Sequence, residues 1–204
     1  MSALTFSLKI TPTFKLNCGK LTPNNLTGLS LDQIARTKLG TSKNSPQASD
    51  YFDISGDNTS HIVFKNTNSQ LDFIGQAISS GQITVCGDAG DRLGDKMRRG
   101  LILVEGDVGD YAGSRMIAGT LVILGKTSAY TGFAMKRGTI LLTKPPQLHA
   151  TIQDCGTHNL PFLSLLFKSF AGNPQFAKLT STRVQRFAGD LSVNGNGEIL
   201  VLQA

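Results

Sequence analysis

Residues equipped for chemistry gather in two places. The first is a pair of Gly-Asp turns, "GDAGD" and "GDVGD", which place Asp88 and Asp107 in one column and Asp91 and Asp110 in another. Carboxylates among glycines suit a calcium loop, and glycine-rich backbone suits a phosphate cradle. The spacing of Gly106, Gly109 and Gly113 fits neither a dinucleotide fingerprint nor a Walker loop, and the stretch does not open a helix. Calcium-binding β-rolls use a nonapeptide period, and the next copy of this segment puts Lys126 and Ala129 where the aspartates stood. The expected role of these aspartates is to bond the backbone of their own turns. The second place is "HATIQDCGTH", with His149, Asp154, Cys155 and His158. Its spacing matches no zinc motif, a fourth ligand is missing, and no serine or cysteine sits in a nucleophile elbow. No catalytic and no metal-binding residue is assigned from either cluster.

What positions these residues is a repeat. "GQITVCGDAGDRLGDKMRR" from Gly81, "GLILVEGDVGDYAGSRMIA" from Gly100 and "GTLVILGKTSAYTGFAMKR" from Gly119 follow one another at a 19-residue period, and "GTILLTK" opens a fourth copy at Gly138. Gly94, Gly113 and Gly132 share position fourteen, and Met97, Met116 and Met135 share position seventeen. "DFIGQAISS" keeps the phase upstream through Gly75 and Ile78. A unit this short cannot fold alone but stacks as one coil of a solenoid, roughly 4.8 Å from its neighbours. Positions three and five are aliphatic in every copy: Ile83 and Val85, Ile102 and Val104, Leu121 and Ile123, Ile140 and Leu142. Alternation puts both inside the coil, with the methionines filling the opposite wall.

Composition agrees. The 204 residues include 22 glycines and no Trp, and only 17% are charged, which suits a turn-rich, mainly β protein. The net charge of +6 favours an acidic partner or ligand, but no Lys/Arg run with interleaved aromatics points to nucleic acid. Three scattered cysteines fit a reducing compartment better than a disulfide framework. The first residues lack the apolar stretch of a signal peptide, and no segment is long and apolar enough to cross a membrane, so a cytoplasmic location is expected.

Two outward-facing features remain. Position four reads Thr84, Leu103, Val122, Leu141, and the last three would form an apolar stripe. A cover is required, either "LPFLSLLFKSF" (160–170), apolar at helical spacing, or another subunit; Leu103, Val122 and Leu141 are therefore candidate partner-interface residues. Arg98 and Lys136 share position eighteen, Arg99 and Arg137 position nineteen, so the four form a cationic edge whose pairs lie roughly 10 Å apart. A solvated face is the ordinary explanation; a track for an extended polyanion is the functional one. The expected organisation is a β-rich N-terminal segment or cap (1–60), repeats (61–144), and a C-terminal segment (145–204) with a helix near 160–170 and a closing strand at 198–202.

The repeat, together with the closing "RFAGDLSVNGNGEILV", resembles the family formed by the C subunits of formylmethanofuran dehydrogenases and of the bacterial formyltransferase/hydrolase complex. The repeat region is also similar to the Gly-rich C-terminal domain of glutamate synthases. The resemblance is strongest over 75–143 and 186–201 and weak before Asp50. It implies a right-handed parallel β-helix of 19-residue coils and a non-catalytic subunit that binds no cofactor of its own. It further implies a hetero-oligomer with a metallo-hydrolase-like subunit and a formyltransferase subunit. Such a complex passes formyl from tetrahydromethanopterin to a methanofuran-type carrier and releases formate, using a hydrolase-bound metal. Abundant Asn and Gln with scarce Glu favours the bacterial complex, in formaldehyde oxidation by a methylotroph, over the archaeal dehydrogenase with its tungsten or molybdenum pterin. Because carriers of this type end in oligoglutamate, Arg98, Arg99, Lys136 and Arg137 are candidate tail-binding residues. An independent β-helix enzyme or binding module is the remaining alternative, using His149, His158 or Asp154, or a carboxylate cluster of Asp88, Asp91, Asp107 and Asp110.

Overall fold

The computed structural model describes residues 2–203. In chain order its elements are β1 (Ala3–Leu8), β2 (Leu16–Asn17), α1 (Pro23–Leu26), α2 (Leu31–Ala35), α3 (Ala48–Tyr51), β3 (Phe52–Ser55), β4 (Asn58–Thr67), β5 (Leu71–Asp72) and β6 (Gln82–Gly87). Then follow β7 (Leu101–Val104), β8 (Thr120–Ile123), β9 (Thr139–Leu142), β10 (Gln153–Asn159), α4 (Phe162–Ser169), β11 (Arg183–Ala188) and β12 (Glu198–Leu202).

A ten-stranded sheet in the order β10-β11-β12-β9-β8-β7-β6-β4-β1-β3 dominates the chain. It is parallel from β12 to β1 and antiparallel at both ends. Ile83, Ile102, Leu121, Ile140 and Ile199 stand in one register column, so the last strand occupies the place of a further copy. At the other end Phe6 of β1 pairs with Phe64 of β4, their rings stacked at 5.2 Å.

Successive copies are linked along two further lines. Single parallel bridges join Ala89 to Val108 and Val108 to Thr127, and the short pair β2–β5 lies on the same side, with Gly90 N–H donating to Leu71 C=O at 2.9 Å. On the third side Gly94, Gly113 and Gly132 N–H donate to Ile74, Leu93 and Ala112 C=O, each at 2.8 Å. Three lines of bonds explain why the backbone polar groups of so short a unit are satisfied without helices.

Between these lines lies the core. The residues at positions three and five are fully buried, as are Met97, Met116 and Met135, all within one apolar cluster. Glycine at position one serves two purposes at Gly119: φ is +103°, and a Cβ there would lie 2.6 Å from the Met97 methyl. The turn and the methionine column thus require the same small residue. Among the described residues no helix is long and apolar enough to cross a membrane.

The outer face of the sheet carries a second cluster. Leu103, Val122, Leu141, Leu200 and Val184 of the sheet are roofed by Leu163 and Phe167 of α4 and by Phe170 and Phe176. Helix α4 starts beyond Pro161 and turns Leu163, Phe167 and Phe170 toward the sheet.

Candidate functional site

The expected partner-interface residues require a correction. Leu103, Val122 and Leu141 have no exposed surface, because the chain's own C-terminal segment lies over them. Of the two covers the stripe admits, the chain supplies one itself.

The cationic residues lie where the repeat puts them. Arg98, Arg99, Lys136 and Arg137 are all exposed. Arg98 and Arg99 N–H both donate to Ile78 C=O, and Lys136 and Arg137 N–H both donate to Met116 C=O, so the two pairs occupy equivalent corners. Between them stand Ile117 and Ala118, whose amides both donate to Met97 C=O; Ile117 is exposed, so the edge is two cationic patches with an apolar residue between. Among the described residues none of the four has an ion-pair partner.

The aspartate columns correct a second expectation. Their carboxylates do not bond their own turns. Asp88 Oδ1 accepts from Asp107 N–H at 2.8 Å, and Asp107 Oδ1 accepts from Lys126 N–H at 2.6 Å. In the other column Asp72 Oδ1 accepts from Asp91 N–H, Asp91 Oδ1 from Asp110 N–H and Asp110 Oδ1 from Ala129 N–H, at 2.8 to 3.0 Å. Each carboxylate bonds the amide 19 residues on, because parallel stacking in register brings that amide directly over it. Lys126 and Ala129 receive such bonds and pass none on, so both columns end there. Each of these carboxylates therefore ties neighbouring copies together through one of its two oxygens.

The histidine segment does not converge. His149 Nδ1 lies 2.7 Å from Thr151 Oγ1, and its ring packs 5.7 Å from Tyr130. His158 and Asp154 lie on β10, where His158 Nε2 is 2.9 Å from Cys155 C=O and Asp154 Oδ1 accepts from Gly156 N–H. Among the described residues no group of three or more His, Cys, Asp or Glu is placed to hold a metal ion.

Several polar features escape a reading of single motifs. Asp95, fully buried, accepts from Arg115 Nε at 2.9 Å, Arg115 Nη2 at 2.8 Å and Ser114 Oγ at 2.7 Å. Its signal is an acid at position fifteen followed one copy later by a base at position sixteen. Position twelve forms a ladder of rings: the Arg92 guanidinium lies 4.6 Å from Tyr111, which stacks on Tyr130 at 4.8 Å. Asp190 is buried under the third copy. Burial alone would raise its pKa, but hydrogen bonds from the Thr151 and Ser192 hydroxyls and from the Ala134 and Ser192 amides outweigh it and hold the carboxyl at about 2. Where α4 gives way to the 169–174 loop, a groove of about 520 Å³ is lined by His61, Thr84, Cys86 and Glu105. Burial lowers the His61 pKa, and burial together with Glu105 pushes the Cys86 thiol up to about 11, so both groups are neutral near pH 7.

No family model matches the chain. A curated relative, the C subunit of the formyltransferase/hydrolase complex Fhc from Methylorubrum extorquens, is 38% identical over 73 residues, which is 36% of this chain and 28% of the relative. A crystal structure of the formyltransferase/hydrolase complex FhcABCD from Methylorubrum extorquens, in complex with methylofuran, contains a similar chain. The two superpose with a TM-score of 0.57 at 26% identity, covering 98% of this chain and 100% of that one. Over those 73 residues the chain is similar to the C subunit of the formyltransferase/hydrolase complex. The sequence match spans little more than a quarter of the curated relative's length, whereas the structural match runs through the N-terminal strands, the repeats and the C-terminal cover alike.

Proposed function

We propose that this chain is the non-catalytic, structural C subunit of a formyltransferase/hydrolase complex. In such an assembly other subunits move formyl from a tetrahydromethanopterin-type carrier to a methanofuran-type carrier and hydrolyse it to formate with a hydrolase-bound metal, in cytoplasmic formaldehyde oxidation. The similarity of nearly the whole chain to a chain of the FhcABCD complex carries this reading. It is supported by the placement of the chain's own polar groups: each turn carboxylate bonds an amide of the next copy, and His149 Nδ1 pairs with Thr151.

On this reading the 19-residue copies wind as a right-handed parallel β-helix, for which the three lines of inter-copy hydrogen bonds speak. A rod of that kind is stiff along its axis and holds flanking subunits at a fixed separation. Arg98, Arg99, Lys136 and Arg137, exposed and without ion-pair partners among the described residues, then serve as a guide for the oligoglutamate end of the carrier.

The test is purification of the tagged full-length chain from its native host. The expected result is stoichiometric recovery of formyltransferase-type and metallo-hydrolase-type chains, with formate release by the assembly and none by this chain alone. A monodisperse monomer without partners, or turnover by the chain by itself, overturns the reading.

A further inference from the structure

Helix α4 is apolar on more sides than the sheet can cover. Leu163 and Phe167 face the sheet and are buried, while Leu165 is 69% exposed and Phe162 is 45% exposed, the former pointing directly away from the core. Lys168 lies one turn beyond Leu165 on the same outer face and is exposed. From Cys155 to Gly189 the chain carries Lys168, Lys178, Arg183 and Arg186 and no acidic residue. Arg186 is neutralised by Glu198 at 3.0 Å; Lys168, Lys178 and Arg183 have no ion-pair partner among the described residues. The edge strand β10, exposed along nearly its whole length, leads straight into this face.

Resting on the functional reading above, we infer that the outer face of α4, centred on Leu165 and Phe162, is the docking surface for a partner protein of the assembly that presents an apolar pocket inside an acidic rim. Charge complementarity selects this occupant. A second copy would set the Lys168 of one cover against the Lys168 of the other, and like charges face to face oppose association. A lipid surface is a poor match because an eight-residue helix with two projecting apolar side chains offers little area to bury in a bilayer. A protein pocket closing over Leu165 removes that side chain from water, and the acidic rim compensates the unpaired Lys168. The stripe Leu103, Val122, Leu141 takes part indirectly, as the bed that holds α4 in place.

The experiment is assembly of the full-length chain with purified formyltransferase-type and hydrolase-type subunits, read by titration of the labelled chain. Leu165→Asp and Lys168→Glu each weaken association by about tenfold or more, and Lys168→Glu also flattens its dependence on salt. Leu191→Asp, a similarly exposed position at 54% outside α4, leaves association within about twofold of the parent. A milder Leu165→Ser variant with an unchanged melting transition gives an intermediate loss, which separates docking from misfolding. Association at parental strength by both Leu165→Asp and Lys168→Glu overturns this surface and leaves the functional reading standing. Failure of the parent chain to assemble overturns both. If Leu165→Asp abolishes self-association, or binding to phosphatidylserine vesicles, while assembly is unchanged, the face belongs to a second copy or a membrane and the inference falls.

Discussion

Arg115 grips Asp95 with two nitrogens, at 2.9 and 2.8 Å, across the boundary between two adjacent copies of the repeat. The aspartate is wholly buried and the arginine partly exposed, so the pair fastens an internal carboxylate to a residue reaching the surface. Arg115→Ala strands that carboxylate with the Ser114 hydroxyl and Gln76 amide as its remaining donors. Because the guanidinium is not fully desolvated, the loss falls below the usual cost of breaking a buried pair, at about 2 kcal/mol. Urea denaturation of the parent and variant measures it.

Asp190 gives the chain an acid-sensitive end. Its folded pKa, about 2, is depressed below the value of an unfolded aspartate, so its contribution to stability is complete above that unfolded value. As pH falls from about 4 toward 2 the contribution is lost. Asp190→Asn therefore lowers the melting temperature at neutral pH, and the gap between variant and parent narrows over that acid window. A gap that stays constant between neutral pH and pH 2 contradicts the assignment.

The cover over the outer stripe is an energetic necessity of the sheet. Leu163 is fully buried against it, so Leu163→Ala costs about 2–5 kcal/mol. Binding of a hydrophobic dye should rise before global unfolding in this variant, because Leu103, Val122 and Leu141 lie directly beneath. Simultaneous loss of the cover and the repeat core would show instead that the two clusters melt as one.

Replacement of Arg98, Arg99, Lys136 and Arg137 by Ala separates binding from structure. All four are exposed and without ion pairs among the described residues, so stability changes by no more than about 0.5 kcal/mol. Carrier binding by the assembled complex weakens at low salt and becomes less sensitive to added salt. Unchanged apparent affinity at low salt rejects the tail-guiding role.

Two thiols should report on unfolding. Cys18 is buried with its pKa raised by burial and by Asp72, and Cys86 is pushed up to about 11. At pH 8 both stay protonated and resist iodoacetamide in the native chain, then react in urea. Rapid native alkylation of Cys86 contradicts the environment described for it.

The repeat makes much of this architecture legible from residue types alone. Residues at positions three and five, such as Ile102 and Val104, alternate along a strand, and alternation alone directs them inward. Met97, Met116 and Met135 recur at the same spacing and share that interior. The apolar position four demands a cover, and the nearest helical apolar run supplies one. The aspartates mislead because a bond to the same turn and a bond to the next copy leave identical residues in the sequence. Only the register of the stack decides between them. Asp95 and Arg115 are hidden for a related reason: the pair joins different positions of different copies, and a search for columns passes over a diagonal. The N-terminal strands are the least readable part. Leu4 and Phe6 align with Ile62 and Phe64, outside the 19-residue phase, and that pairing is set by packing of Phe6, Phe52 and Phe64.

Strand β12 has a consequence for how the chain avoids becoming a fibre. A row of parallel rungs ending at β9 would offer an open edge to any other copy, and head-to-tail addition of that kind need never stop. Here the edge is occupied by the chain's own last strand, which arrives after the excursion that also roofs the apolar stripe. Beyond it β11 and β10 run antiparallel, as β3 does at the opposite edge, so neither edge of the sheet presents a further parallel rung. Truncation before Glu198 would remove the stopper and leave a polymer-forming protein in place of a discrete one.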